Sequence, residues 1–167
     1  MSQSTASPVR RTVIVPLPAE RAFYTFVNHM GLWWPRQNTF GKEKYHTVLV
    51  EPVVGGRWYE RSADGEETAW GTVLAYEPPH RIILTWQITA QGTPEADPAR
   101  ASEIEIRFMP LKPSSTSVEL EHREFGRHGD EDGAIWREGM ESEDAGWTNL
   151  LKHFARLCTA ENEQKPG

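Results

Sequence analysis

The amino-acid sequence predicts a single α+β domain in which an antiparallel sheet curls around a long C-terminal helix. Two observations carry this prediction. The middle of the chain holds several short segments in which apolar and polar residues alternate, with turn-forming residues between them. Near the C-terminus, apolar residues recur at helical spacing instead. A sheet with one apolar face and a helix with one apolar stripe bury both surfaces by packing together.

The first folded segment is predicted to be a strand followed by two short helices. Residues 12–15 are a β-branched run closed by prolines, and residues 19–26 carry helix formers with aromatic side chains on one side. A break follows at Gly31. The aromatic segment 32–34 then meets Pro35, which disfavours further helix, so a second short helix should end in a rigid loop.

The central segments are predicted to be antiparallel strands joined mostly by hairpins. Asp64-Gly65 is a tight-turn pair, and Pro78-Pro79 ends an alternating run. Residues 91–100 contain glycine, prolines and small polar residues, which predicts an exposed, mobile loop. Period-two alternation places strands near residues 48–50, 57–61, 70–76, 82–88, 104–108 and 118–120.

The last structural element is predicted to be an amphipathic helix over about residues 138–157. Its apolar stripe has spacings of seven, four, three and four residues, and Asp144 falls within that stripe. The stripe consists of Met140, Trp147, Leu151, Phe154 and Cys158.

Both ends of the chain are polar, so we expect residues 1–10 and 161–167 to be disordered tails around one folded domain over 11–160. A length of 167 residues fits one domain. The formal net charge of -6 argues against nucleic acid as a partner. No apolar run is long enough to span a membrane, and the single cysteine suits a reducing compartment, which predicts a cytoplasmic protein.

Five short segments together resemble bacterial homologues of the heat-shock chaperone ATPase activator. The resemblance runs from about Arg11 to about Leu157 and implies membership of the SRPBCC superfamily, which includes the START and birch-pollen-allergen proteins. It implies a helix-grip fold: a curved antiparallel sheet of about seven strands around the C-terminal helix, with a cavity between them. The segments are Trp33-Trp34-Pro35, Gly55-Gly56-Arg57-Trp58, Trp70-Gly71-Thr72-Val73-Leu74 with Glu77-Pro78-Pro79, Leu84-Thr85-Trp86 and Gly146-Trp147.

Nine residues are candidates to line such a cavity. His122 continues the inward face of the strand that carries Val118 and Leu120, and Asp144 lies on the helix stripe. A hydrogen-bonded structural histidine and an acidic residue favoured near a helix N-terminus are the alternatives for these two. The tryptophans could stack an aromatic ligand or could be plain core. The nine are Trp34, Trp58, Trp70, Trp86, Phe108, His122, Asp144, Trp147 and Leu151.

Three functional hypotheses follow. The first is the binding of a small apolar or aromatic molecule between helix and sheet, without a cofactor. The second is a protein-interaction module that acts as a stress or chaperone accessory, as the family's name suggests. The third is a cyclase, dehydratase or hydrolase that uses a cavity histidine and a carboxylate. No pair of histidines has HxxxH spacing, so no metal is expected. The chain could act as a monomer or a homodimer.

Overall fold

A seven-stranded antiparallel sheet forms the body of the molecule, with the strand order β1-β7-β6-β5-β4-β3-β2. The computed structural model describes residues 7–164. The predicted sheet is confirmed. Its strands are β1 Val9–Val15, β2 Tyr45–Val50, β3 Arg57–Ser62, β4 Glu67–Glu77, β5 Arg81–Trp86, β6 Ser102–Lys112 and β7 Ser115–Arg123.

Over residues 7–164, four α-helices accompany the sheet: α1 Ala19–Asn28, α2 Met30–Trp33, α3 Asp130–Glu141 and α4 Trp147–Glu163. The two short helices after the first strand are confirmed, and so is the long C-terminal helix on the inner face of the sheet. Within the described part of the chain, no helix has the length and apolarity needed to cross a membrane.

The predicted C-terminal helix is interrupted, which the helical periodicity did not indicate. Residues 142–146 separate α3 from α4, so Met140 and Trp147 lie on different helices. The interruption is tight at Gly146, where an added Cβ would lie 2.1 Å from the carbonyl oxygen of Met140. Only a glycine fits there, because any side chain would collide with that backbone.

Regular secondary structure begins before residue 11 and continues past residue 160, and the domain limits themselves stay a prediction. Strand β1 begins at Val9, which is buried and pairs with His122. Helix α4 continues to Glu163, and Glu161 accepts a hydrogen bond of 2.6 Å from the Thr25 hydroxyl. The remainder of the predicted tails, residues 1–6 and 165–167, lies outside the described residues.

Tryptophans fill the space between the sheet and the helices. Trp34, at the end of α2, is only 4% exposed. Besides the neighbouring Trp33, its ring packs against four tryptophan rings from the sheet and α4, with centroids 5.5 to 6.3 Å apart. The centre of the helix-grip fold is therefore packed with aromatic side chains. The four are Trp58, Trp70, Trp86 and Trp147.

Candidate functional site

A pocket of about 470 Å³ opens at one end of this aromatic core. It lies between the loop that follows α2, the chain that leaves β5, and helix α3. Its walls are largely apolar, and its volume falls in the range of small-molecule sites, ~300–1,000 Å³. The apolar walls consist of Phe40, Trp86, Ile88, Trp136, Met140 and Ala145.

The polar groups of the pocket come mostly from one loop. Gln37, Asn38 and Thr39 line it beside Lys42, whose ammonium group donates a 2.6 Å hydrogen bond to the carbonyl of Gln37. Lys42 is the one ionisable side chain among the described residues that line the pocket. An aromatic wall with a few polar groups at one side suits an apolar ligand that carries some oxygen atoms.

A buried carboxylate fixes the position of this loop. Glu60, on β3, is 2% exposed and accepts hydrogen bonds from the backbone N–H groups of Phe40 at 2.6 Å and Gly41 at 2.7 Å. Hydrogen bonds to an ionised acceptor are stronger than neutral ones. Glu60 therefore holds the pocket wall against the sheet.

A chain of hydrogen bonds through two buried histidines lies behind the opposite wall. The Trp147 indole N–H donates to Nδ1 of His122 at 2.9 Å, and Nε2 of His122 lies 2.7 Å from the Ser102 hydroxyl. That hydroxyl lies 2.9 Å from Nε2 of His128, which also accepts the backbone N–H of Ser102 at 3.2 Å. The arrangement connects α4, β7, β6 and the 3-10 turn after β7.

The hydrogen-bond donors in this network determine the tautomer of each histidine. An indole nitrogen only donates, so Nδ1 of His122 accepts this bond. The ring proton of His122 is therefore on Nε2. The Ser102 hydroxyl then accepts from His122 and donates to His128. Burial, and next the charge of His128, hold the pKa of His122 well below its ordinary value. Burial also lowers the pKa of His128, although Asp132 and Glu95 oppose this, so both rings are neutral near pH 7.

The network adjoins the pocket but does not line it. The His122 ring lies 6.2 Å from the Trp86 ring, and the His128 ring lies 6.4 Å from the Trp136 ring, centroid to centroid. Both tryptophans are pocket walls. The histidines therefore support the wall from behind, as hydrogen-bonded structural histidines would.

The structure distributes the nine candidate residues over three environments. Trp86 lies on the pocket wall, and seven others are buried in the packed core. Asp144 does not occupy the expected position on an inward helix stripe: it lies in the break between α3 and α4 and is exposed, because helix α3 ends before it, and its role in binding stays a prediction. The seven core residues are Trp34, Trp58, Trp70, Phe108, His122, Trp147 and Leu151. Their contact with a ligand stays a prediction.

Several residues of the pocket and of the histidine network behind it were not predicted. Trp136 and Met140 have the four-residue spacing that puts two side chains on one helix face, and this was the available signal. Ser102 precedes Ile104 by two residues and so shares its inward face. No signal in the sequence associates Phe40 with α3. Within residues 7–164, no three His, Cys, Asp or Glu side chains are grouped as a metal site requires.

Comparisons with solved structures place the chain among helix-grip proteins. The anthrahydroquino-Gama-pyrone synthase Txn09, complexed with SUM, is 36% identical over 92% of this chain and 98% of its own, with a TM-score of 0.64. The self-sacrificing resistance protein CalC from Micromonospora echinospora is 29% identical over 96% of this chain and 99% of its own, with a TM-score of 0.67.

A third structure supports the fold alone. Protein MLL2253 from Mesorhizobium loti is 18% identical over 96% of this chain and 100% of its own, with a TM-score of 0.65.

No curated protein sequence matches the chain. The family described as Activator of Hsp90 ATPase homolog 1-like protein matches residues 16–159, most of the described chain. This protein therefore belongs to the Activator of Hsp90 ATPase homolog 1-like family.

Proposed function

We propose that this protein binds a planar aromatic molecule in the pocket between the loop 37–42 and helix α3. The observation that carries the proposal is the aromatic and aliphatic wall of Phe40, Trp86, Trp136 and Met140 around about 470 Å³. Large rigid rings give extensive contact area at little entropic cost, which favours stacking of a flat ligand.

The comparison with Txn09 supports an aromatic ligand. The name of that synthase denotes a product with fused aromatic rings and a pyrone, and its sequence is 36% identical to this chain. The apolar pocket walls suit the same class of molecule. A protein-interaction role as a chaperone accessory, which the family's name suggests, remains a prediction, and the presence of a sizeable pocket favours the small-molecule role instead.

Binding can be tested with the β-sulfonates of anthraquinone and anthracene as soluble planar probes. We expect saturable quenching of tryptophan fluorescence by at least one probe, with a Kd of roughly 1–100 µM. Native mass spectrometry of freshly purified protein should also detect a co-purifying small molecule. If neither probe quenched the tryptophan fluorescence in a saturable way, the proposal would be wrong.

A matched pair of glycine variants tests the location. Gly139 lines the pocket and a Cβ there meets no atom within 4 Å, so Gly139→Trp should fill the pocket without straining α3. The control is Gly126→Trp, because Gly126 is exposed, has the same open surroundings and lies outside the pocket lining. We expect the first to weaken probe binding at least ~10-fold and the second to leave it unchanged. If both variants changed probe binding to the same extent, the probe would bind outside this pocket.

Catalysis on the bound ligand is a second candidate, favoured by the identity with a synthase. An ortho-hydroxyaryl β-diketone closes to a γ-pyrone when the phenol oxygen attacks the distal carbonyl carbon and one water leaves. Lys42, on the pocket wall, would polarise that carbonyl. The test is the absorbance of the pyrone product. Lys42→Met should slow its formation by about 10- to 100-fold, and a rate no faster than in buffer would exclude this candidate.

A further inference from the structure

Two tryptophans next to the pocket carry buried indole N–H groups that have no acceptor among the described residues. They are Trp70 and Trp86, both 1–4% exposed. Buried donors in proteins are nearly always hydrogen-bonded, so each such exception calls for an explanation. Trp86 lines the pocket directly, and Trp70 packs behind the pocket residue Phe40 with ring centroids 5.7 Å apart.

Two tryptophans, Trp34 and Trp58, pack against both of these rings. The Trp34 ring lies 5.9 Å from the Trp70 ring and 6.3 Å from the Trp86 ring. Trp58 belongs to strand β3, whereas Trp34 lies at the end of α2, so Trp34 is the one of these two that can leave its place without opening the sheet.

The indole hydrogen bond of Trp34 is made to the pocket loop and not to the sheet. Its indole N–H donates to the carbonyl oxygen of Asn38 at 3.0 Å, and Asn38 is itself a pocket residue. Within the loop, the guanidinium group of Arg36 donates to the carbonyls of Lys42 and Glu43, at 3.1 Å each. Hydrogen bonds to Glu60, and one of 2.7 Å from the Ala63 N–H to the Lys44 carbonyl, connect the loop to β3 and the turn after it. When the bonds to Glu60 and Ala63 open, Trp34 can move together with the loop 34–44 while its own hydrogen bond to Asn38 stays intact.

We infer that the Trp34 side chain is a plug, which means that it fills the inner part of the ligand site. When the loop 34–44 lifts, the site extends into the core. The inference rests on the proposed function and specifies the ligand further. The space that Trp34 leaves is walled by aromatic rings, two of which carry indole N–H groups without an acceptor among the described residues. It fits a planar aromatic ligand that carries carbonyl or phenolate oxygens as hydrogen-bond acceptors.

The two aromatic sulfonates distinguish this ligand chemistry. Anthraquinone β-sulfonate carries ring carbonyl oxygens, and anthracene β-sulfonate has the same three-ring outline without them. We expect the quinone to bind wild-type protein at least ~10-fold more tightly, because only its oxygens pair with the indole donors. Trp86→Phe and Trp70→Phe, which keep an aromatic ring and remove the N–H, should each reduce this preference. Equal affinities of the two probes in wild-type protein would overturn the acceptor assignment.

A variant whose loop is held less firmly tests whether Trp34 blocks the site. Glu60→Gln keeps the side-chain shape and weakens the hydrogen bonds to Phe40 and Gly41. We expect a several-fold faster association of the quinone. The matched control is Glu51→Gln, because Glu51 also accepts a backbone N–H, that of Arg57 at 2.7 Å, in a turn outside the pocket lining. Unchanged association in Glu60→Gln would contradict a loop-gated entry.

Fluorotryptophan NMR observes Trp34 directly. Trp34→Phe assigns its resonance, and Trp33, which is also buried and bonds the carbonyl of Phe26, is the internal control. In the saturated complex we expect only the Trp34 resonance to acquire the solvent-isotope shift of an exposed indole. If the quinone binds and Gly139→Trp blocks it while Trp34 stays buried, the inference fails and the proposed function stands. If neither probe binds, the proposed function itself fails.

Discussion

The indole nitrogen of Trp147 lies 2.9 Å from Nδ1 of His122 and joins the first residue of α4 to the inner face of β7. Because both side chains are almost fully buried, this bond has no competition from bulk water. It also fixes the tautomer that allows His122 to donate to Ser102. The start of the C-terminal helix is thus held by a directed contact as well as by apolar packing.

Stability should decrease in mildly acidic solution because of the buried histidines. The pKa values of His122 and His128 are lowered in the folded protein, so the unfolded chain binds more protons below about pH 6.5. The free energy of unfolding should therefore fall as pH drops from about 7 towards 5, by up to ~1.4 kcal/mol per pH unit for each histidine.

Urea unfolding over this pH range measures the effect. His122→Asn should reduce the pH dependence, whereas His46→Asn, at an exposed position on β2, should leave it intact. A free energy of unfolding that stays constant over the range would contradict the assignment of two neutral buried rings.

Loss of the indole donor should destabilise the fold. Trp147→Phe leaves Nδ1 of His122 without a partner in a buried site, which costs about 1–3 kcal/mol beyond the loss of ring contacts. Trp58→Phe is the matched control, because the Trp58 N–H contacts only the weakly accepting sulfur of Met30, at 3.2 Å. Denaturant melts should give the larger loss for Trp147→Phe, and the reverse order would show that packing dominates at this position.

The parts of the fold that depend on local periodicity could be predicted from the sequence. The alternation of Ile104, Ile106 and Phe108 matches their burial on the inner face of β6, and the inward position of His122 follows from the same rule. Asp144 was misplaced because periodicity cannot indicate where a helix breaks and restarts.

The pocket could not be predicted, because three segments distant in the sequence meet there. Residues 37–42, 86–92 and 136–145 each supply part of its wall, and only the tertiary structure brings them together. The loop 91–100 illustrates the same limit. It is largely exposed, as predicted, but the Gln87 side-chain amide donates to the carbonyl of Glu95 at 3.0 Å and links the loop to the end of β5.

Leu151 should be essential to the packing of α4. It is 2% exposed and faces the core, so Leu151→Ala should lower the free energy of unfolding by about 2–5 kcal/mol. Lys152→Ala, at the exposed neighbouring position on the same helix, is the control and should change it by less than about 0.5 kcal/mol. Similar losses for both variants in denaturant melts would show that this helix face is not core.

Glu105 should account for part of the stability lost in strong acid. Burial acts to raise its pKa, but hydrogen bonds from Arg123, Arg107 and Arg81 outweigh burial and lower the pKa to about 2. Because the folded pKa lies below the unfolded value near 4.5, the stabilisation is complete above that pH and disappears as pH falls towards 2.

Glu105→Gln should therefore lower the free energy of unfolding by about 1–2 kcal/mol at neutral pH, because the arginines lose their ionised acceptor. The variant should also lose less stability than wild type between about pH 4.5 and 2. Glu119→Gln, at an exposed position on the adjacent strand β7, controls for the change in net charge. Thermal melts across this range measure both effects, and parallel acid profiles for wild type and Glu105→Gln would show that the arginine cluster does not hold this carboxylate ionised.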